Sequence, residues 1–248
     1  MCEIGFDKYD LFLLVFARMS GMILFNPFLS RRSIPAAVRA GLAFVTALMV
    51  ADFLNYDVAA SNGHILLFMA ICAKELLIGF FAGFILQLFL SGVLIAGGIT
   101  DYQMELSMAQ IYDPQTSASM PVTGTLYNLL YTASFFACNG HLTMIRLIVY
   151  SYDILPPGAK LVGTAGWEYV TMLFGQVLIL ALKIAFPVLA VELVTETALG
   201  ILMRAVPQID VFVVGLQLKV LVGLAFVTLV LPQTFDLLDN MLDQMFHC

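Results

Sequence analysis

Six apolar runs, separated by short polar breaks, set the pattern of this chain. The first covers residues 11–29 and ends at Asn26-Pro27. A basic link over residues 30–39 follows, with Pro35 suited to the first turn of a second helix over residues 36–54. A polar loop, residues 55–63, leads to the third run, residues 65–99. From Leu76 to Thr100 no charge occurs, a helical length of roughly 37 Å against a bilayer core of roughly 30 Å. The fourth run, residues 122–150, stops ahead of Pro156-Pro157-Gly158. The fifth, residues 169–206, contains Pro187, whose ring removes a helix hydrogen bond and predicts a kink. The sixth, residues 211–238, contains Pro232. The pattern predicts an all-α, polytopic membrane protein of about six long, partly broken helices. No fixed repeat or long polar linker divides it, so one domain over residues 1–248 is expected.

Charges interrupt these runs. Lys74-Glu75 falls in the middle of the third, and Arg18, Lys183, Glu192, Glu196 and Lys219 interrupt others. Ionisable groups at membrane depth are costly and face a protein interior, a partner or a water-filled path. Glu192 and Glu196 stand one helical turn apart, with Lys183 before them and Arg204 beyond. This spacing reads as a polar stripe toward partners or a conduit; the alternative is a surface turn outside the bilayer. Gly79 and Gly83 form a GxxxG spacing, which admits a close helix neighbour but also arises by chance in a Gly-rich run.

Composition agrees with the pattern. Hydrophobic residues make up 61% of the 248 and charged residues 11%, with mean hydropathy +0.97. A soluble domain carries more charge, so the apolar surplus needs lipid or partner subunits. The net charge of −6 and the lack of a dense basic stripe argue against nucleic-acid binding. The four cysteines show no paired spacing, and Cys72 and Cys138 read as small buried hydrophobes. The acidic N-terminal residues do not resemble a cleaved signal, so residues 11–29 are expected to be a retained membrane segment. Arg31, Arg32 and Arg39 favour a cytoplasmic link, which conflicts with six simple crossings and leaves topology open. Cys138 and His141 have i, i+3 spacing, but two ligands do not make a metal site. No phosphate-binding loop or nucleophile elbow occurs, and no cofactor is implied.

Residues 101–121 are neither charged enough for a solvated loop nor apolar enough to span a membrane. They hold Met104 and Met108 one turn apart, and then Met120. Methionine fills irregular gaps, so the segment reads either as an interfacial loop or as a deformable plug for a pore.

Several short motifs, in order along nearly the whole chain, carry a resemblance. They are Phe16-Ala-Arg-Met-Ser-Gly21, Val38-Arg-Ala-Gly-Leu42, Lys74-Glu-Leu-Leu-Ile-Gly79, Gln103-Met104, Asp113-Pro114, Asn139-Gly-His141, Leu155-Pro156 and Leu218-Lys219. The most specific runs from Arg204-Ala-Val-Pro-Gln-Ile-Asp210 to Gly215. In these the chain resembles the FliR/SctT family of type III secretion export-gate proteins. The Asn-Gly-His and the Val214-Gly215 pair resemble its flagellar branch. The family usually has Gly where Glu105 stands, Asn where Asp210 stands and Pro where Gln217 stands.

The resemblance implies a FliP-like part followed by a FliQ-like helical hairpin, set among FliP-like and FliQ-like subunits. It implies FlhB-like and FlhA-like export proteins on the cytoplasmic side of the bacterial inner membrane, in the flagellar basal body. Unfolded flagellar subunits would pass through the assembly. The chain itself would have no enzymatic role. Gln103, Met104, Met108, Asp113, Pro114 and Met120 would belong to a pore plug. Lys74, Glu75, Lys183, Glu192, Glu196, Arg204 and Lys219 would make polar contacts between subunits. Gly79 and Gly83 would pack helices, and Pro207 and Gln208 would form a hairpin turn. A small-molecule secondary transporter is the rival reading, but it favours two matching halves with broken helices, which the chain lacks. A membrane enzyme would need a convergent polar site, and none assembles.

Overall fold

A computed structural model of the chain describes residues 6–29, 34–54, 65–106, 111–113, 118–157, 165–205 and 211–247. The described residues form seven helices: α1 (Phe6–Phe25), α2 (Ala36–Phe53), α3 (Ile65–Gln103), α4 (Val122–Ala137), α5 (Gly140–Ile154), α6 (Ala165–Ala205) and α7 (Val211–His247). The fold is all-α apart from two three-residue strands, β1 (Ile111–Asp113) and β2 (Ala118–Met120). They pair antiparallel, with Tyr112 opposite Ser119.

The expected fourth segment is two helices. Its break falls at Cys138-Asn139, where Asn139 takes the left-handed conformation (φ 55°) and its carbonyl accepts the first hydrogen bonds of α5. Asparagine tolerates that conformation better than most residues, and apolar content alone does not reveal it. Cys138, expected among buried hydrophobes, is exposed at this break. The structure assigns α6 as one helix through Pro187. Pro207 and Gln208, expected as a hairpin turn, lie outside the described residues.

Among the described residues, three helical stretches are long and apolar enough to cross a membrane: Ile65–Gln103, Glu168–Ala205 and Val214–Leu242. Their most apolar windows are only 39%, 39% and 28% buried within the chain. Most of that apolar surface therefore needs lipid or neighbouring subunits. The same holds for α2, which exposes Val38, Phe44, Val45, Leu48 and Met49.

The chain divides into two compact units. One contains Met1–Leu88 and Asn139–Val170; the other contains Phe89–Cys138 and Thr171–Cys248. In the first, α1 stops where Asn26 Oδ1 accepts the backbone N–H of Phe28 (2.8 Å) and Leu29 (3.3 Å). That Asx turn, with Pro27, is the local reason the chain leaves the helix. Phe12 meets Phe44 of α2 edge-on at 5.4 Å, and Phe25 meets Phe80 of α3 edge-on at 4.5 Å. In the second unit, α4 packs on α7, where Ser134 Oγ donates to Asp239 Oδ1 at 2.8 Å.

Candidate functional site

Within the first unit, Gly79 and Gly83 lie where α3 crosses α1. A Cβ at Gly79 would collide with the Arg18 carbonyl, and one at Gly83 would stand 3.0 Å from the Met22 carbonyl. Gly21 of α1 answers from the other side, facing the Leu76 carbonyl. The two backbones therefore touch, which only glycine allows.

That contact brings Arg18 beside Glu75, and both are buried. Arg18 Nε donates to Glu75 Oε2 at 2.7 Å, with Nη2 against the same oxygen. Arg18 Nη1 donates to Ser151 Oγ and Nη2 to the Leu155 carbonyl, each at 3.0 Å. The Tyr152 ring stacks 4.0 Å from the guanidinium carbon. Burial pushes the Tyr152 phenol well above its ordinary value, and Arg18 draws it partly back. One guanidinium thus ties α1, α3 and α5 together. Lys74 Nζ stands 3.6 Å from Glu75 Oε1 and is 17% exposed. Sequence reasoning noticed Arg18 as a charge in an apolar run but assigned it no role. The signal was there, because a buried Glu75 needs a counter-charge and Arg18 stands near the middle of α1.

The second unit holds the ends of the segment expected to be a plug. Asp101, near the end of α3, accepts the Thr123 backbone N–H at 3.2 Å and the Thr123 hydroxyl. Asp101 thereby caps the first turn of α4, where the helix dipole favours a carboxylate. Gly97 of α3 and Gly124 of α4 approach so closely that a Cβ on Gly97 would meet the Gly124 backbone. The end of α3 and the start of α4 are thus clamped together as a neck at the base of this segment.

Within that neck Gln103 ends α3, and Met104 is fully buried with Val188 and Val227. Asp113 and Met120 lie in β1 and β2, while Met108 and Pro114 are outside the described residues. Glu105 has φ 60°, in the left-handed region. Glycine adopts that region without strain, which accounts for the Gly the family usually carries here. Glu105 instead pairs with Lys219 of α7 at 2.8 Å, and Glu196 of α6 stands 3.8 Å from the same Nζ. Glu192 is fully buried on α6. The structure thus brings Glu192, Glu196 and Lys219 together with Glu105. Lys183 and Arg204 are exposed on α6 and make no ion pair among the described residues.

No group of three or more His, Cys, Asp or Glu suited to a metal occurs among the described residues. The polar side chains serve to clamp helices and a chain segment. Comparison with known proteins gives the setting: the family described as "Bacterial export proteins, family 1" matches residues 9–245. The chain belongs to this family. It is 32% identical to the flagellar biosynthetic protein FliR of Bacillus subtilis (strain 168), over 94% of this chain and 91% of that protein. It is 30% identical to FliR of Escherichia coli (strain K12), over 93% of this chain and 87% of that protein. The surface presentation of antigens protein SpaR of Shigella sonnei is 27% identical, over 88% of this chain and 86% of that protein. The bacterial export family therefore includes this chain over nearly its whole length, with the FliR/SctT likeness that its motifs carry. Its long apolar helices make it an export protein of the membrane.

Proposed function

We propose that this chain is a non-enzymatic subunit of the flagellar type III export gate of the bacterial inner membrane, and that residues 103–121 plug the path. The clamped neck carries the reading. Asp101–Thr123 and Gly97–Gly124 fix both ends of a methionine-containing segment in a chain of the export family. Connections of this length inside a compact unit are usually functional. Methionine suits the seal because its flexible side chain fits irregular surfaces.

The largely uncovered apolar helices support a place among FliP-like and FliQ-like subunits and lipid. FlhB-like and FlhA-like export proteins would engage the cytoplasmic side, and unfolded flagellar proteins would pass through the centre. Lys74, Lys183, Glu196 and Arg204 are at least partly exposed and would make polar contacts with neighbours. Glu75, Glu192 and Lys219 would contribute from inside the chain. Both units would act together as one export-gate domain.

Gentle solubilisation with the FliP-like and FliQ-like partners co-expressed tests the reading. A stable complex containing all three is expected. A monomer or dimer that binds a small solute would favour a transporter instead.

A further inference from the structure

Three carboxylates surround Lys219, and their situations differ. Glu105 holds the ammonium at 2.8 Å while 42% exposed. Glu196 stands at 3.8 Å and is 56% exposed. Glu192 is fully buried, and neither of its oxygens has a hydrogen-bond partner. A buried carboxylate without a partner is unfavourable and calls for explanation. Its place supplies one. Glu192 Oε1 lies against Gly223, one helical turn beyond Lys219, where a Cβ would stand 2.7 Å from it. Met104 Sδ lies over the same glycine. Met104 therefore fills the space beside Glu192 that the ammonium would otherwise enter.

The occupied pair is the less comfortable one. Glu105 holds Lys219 from a left-handed backbone that an L-residue adopts only with strain. A half-exposed ion pair is also weak. The receiving carboxylate is buried, unsatisfied and one turn away. Withdrawal of Met104 and Glu105 would relieve the strain, clear the space over Gly223 and leave Lys219 with only the exposed Glu196, at 3.8 Å, beside it.

We propose that Lys219 is an ion-pair exchange latch: it holds Glu105 while the 103–106 turn is seated and passes to Glu192 when that turn leaves. The proposal rests on the reading of residues 103–121 as a plug. Lys219 then biases a two-state element, since each state offers it a different carboxylate. The exchange makes and breaks no covalent bond between heavy atoms.

The test is dye entry into cells carrying the complete gate, with co-purification of its subunits measured in parallel. Glu105→Gln removes the resting acceptor and keeps the receiving one. It should raise dye entry about fivefold, the population change that one weak ion pair holds back. Glu105→Gly removes the acceptor but also the backbone strain that favours withdrawal, so it should leak above wild type but less than Glu105→Gln. Adding Glu192→Gln to Glu105→Gln removes the receiving acceptor and should return dye entry toward wild type. Glu192→Gln alone should lower export about fivefold by removing the state that accepts the ammonium.

Tight, assembled gates from both Glu105 variants would overturn the latch. So would a double variant that leaks like Glu105→Gln alone, or failure of Glu105→Gly to assemble. Deleting residues 109–119 separates the two claims. If that deletion is tight, the plug reading fails and the latch with it. If it leaks while the Glu105 variants stay tight, only the latch fails.

Discussion

Replacing Arg18 with Ala should damage this protein more than any other single charge removal. Glu75 would remain buried at 0% side-chain exposure with its nearest remaining cation, Lys74, at 3.6 Å. Removing one partner of a buried, hydrogen-bonded ion pair costs about 3–5 kcal/mol, because the other charge stays uncompensated. Ser151 Oγ and the Leu155 carbonyl would also lose their donor, and Tyr152 its stacked cation. Lost stacking adds roughly 0.5–2 kcal/mol. Taking only the lower figure for the pair, Tm should fall by roughly 6–12 °C for a chain of this size. The assay is thermal unfolding of the purified, detergent-solubilised protein, with membrane yield alongside. Arg18→Leu combined with Glu75→Leu should recover most of the loss, since a buried pair replaced by apolar side chains is often near neutral. Lys74→Ala should change Tm little, because Arg18 still holds Glu75. Its effect, if Lys74 serves a neighbour, belongs in the yield of assembled complex. An Arg18→Ala protein that melts with wild type would refute the clasp.

Gly79→Leu should force α3 away from the Arg18 carbonyl and cost at least about 1–3 kcal/mol, measured as loss of folded protein in membranes. Wild-type yield would show that the two helices are not in backbone contact. Asp101→Ala should uncap α4 and cost about 1 kcal/mol or slightly more, while Asp101→Asn should keep part of the cap. Limited proteolysis between residues 103 and 121 is the readout, with Asp101→Ala cut faster than wild type.

Much of this fold can be read from apolar runs. Residues 36–54, 65–99 and 169–206 correspond closely to α2, α3 and α6, because long, predominantly apolar stretches in a membrane have little choice but to be helical. The break at Asn139 was hidden, since a single left-handed residue alters no hydropathy. The β1–β2 hairpin was hidden too, because three-residue strands carry almost no periodicity. Polar partners were the least legible. Sequence spacing grouped Lys183, Glu192, Glu196 and Arg204 on one helix, whereas Glu192 and Glu196 cluster with Lys219 and Glu105 from other elements. Arg18 and Glu75 stand 57 residues apart, so only tertiary packing could pair them. Family likeness did mark Glu105, by the glycine usually found there, and the backbone gives the physical reason.

The central claim is that residues 103–121 close the path of an assembled gate. Deletion of residues 109–119 leaves the Asp101–Thr123 neck and the Glu105 turn in place, so the subunits should still co-purify. The decisive measurement is the entry of a small impermeant dye into cells carrying that assembled variant, in the absence of export substrate. The account predicts dye entry well above wild type. An assembled deletion variant as tight as wild type would contradict it and place the seal on the neighbouring subunits.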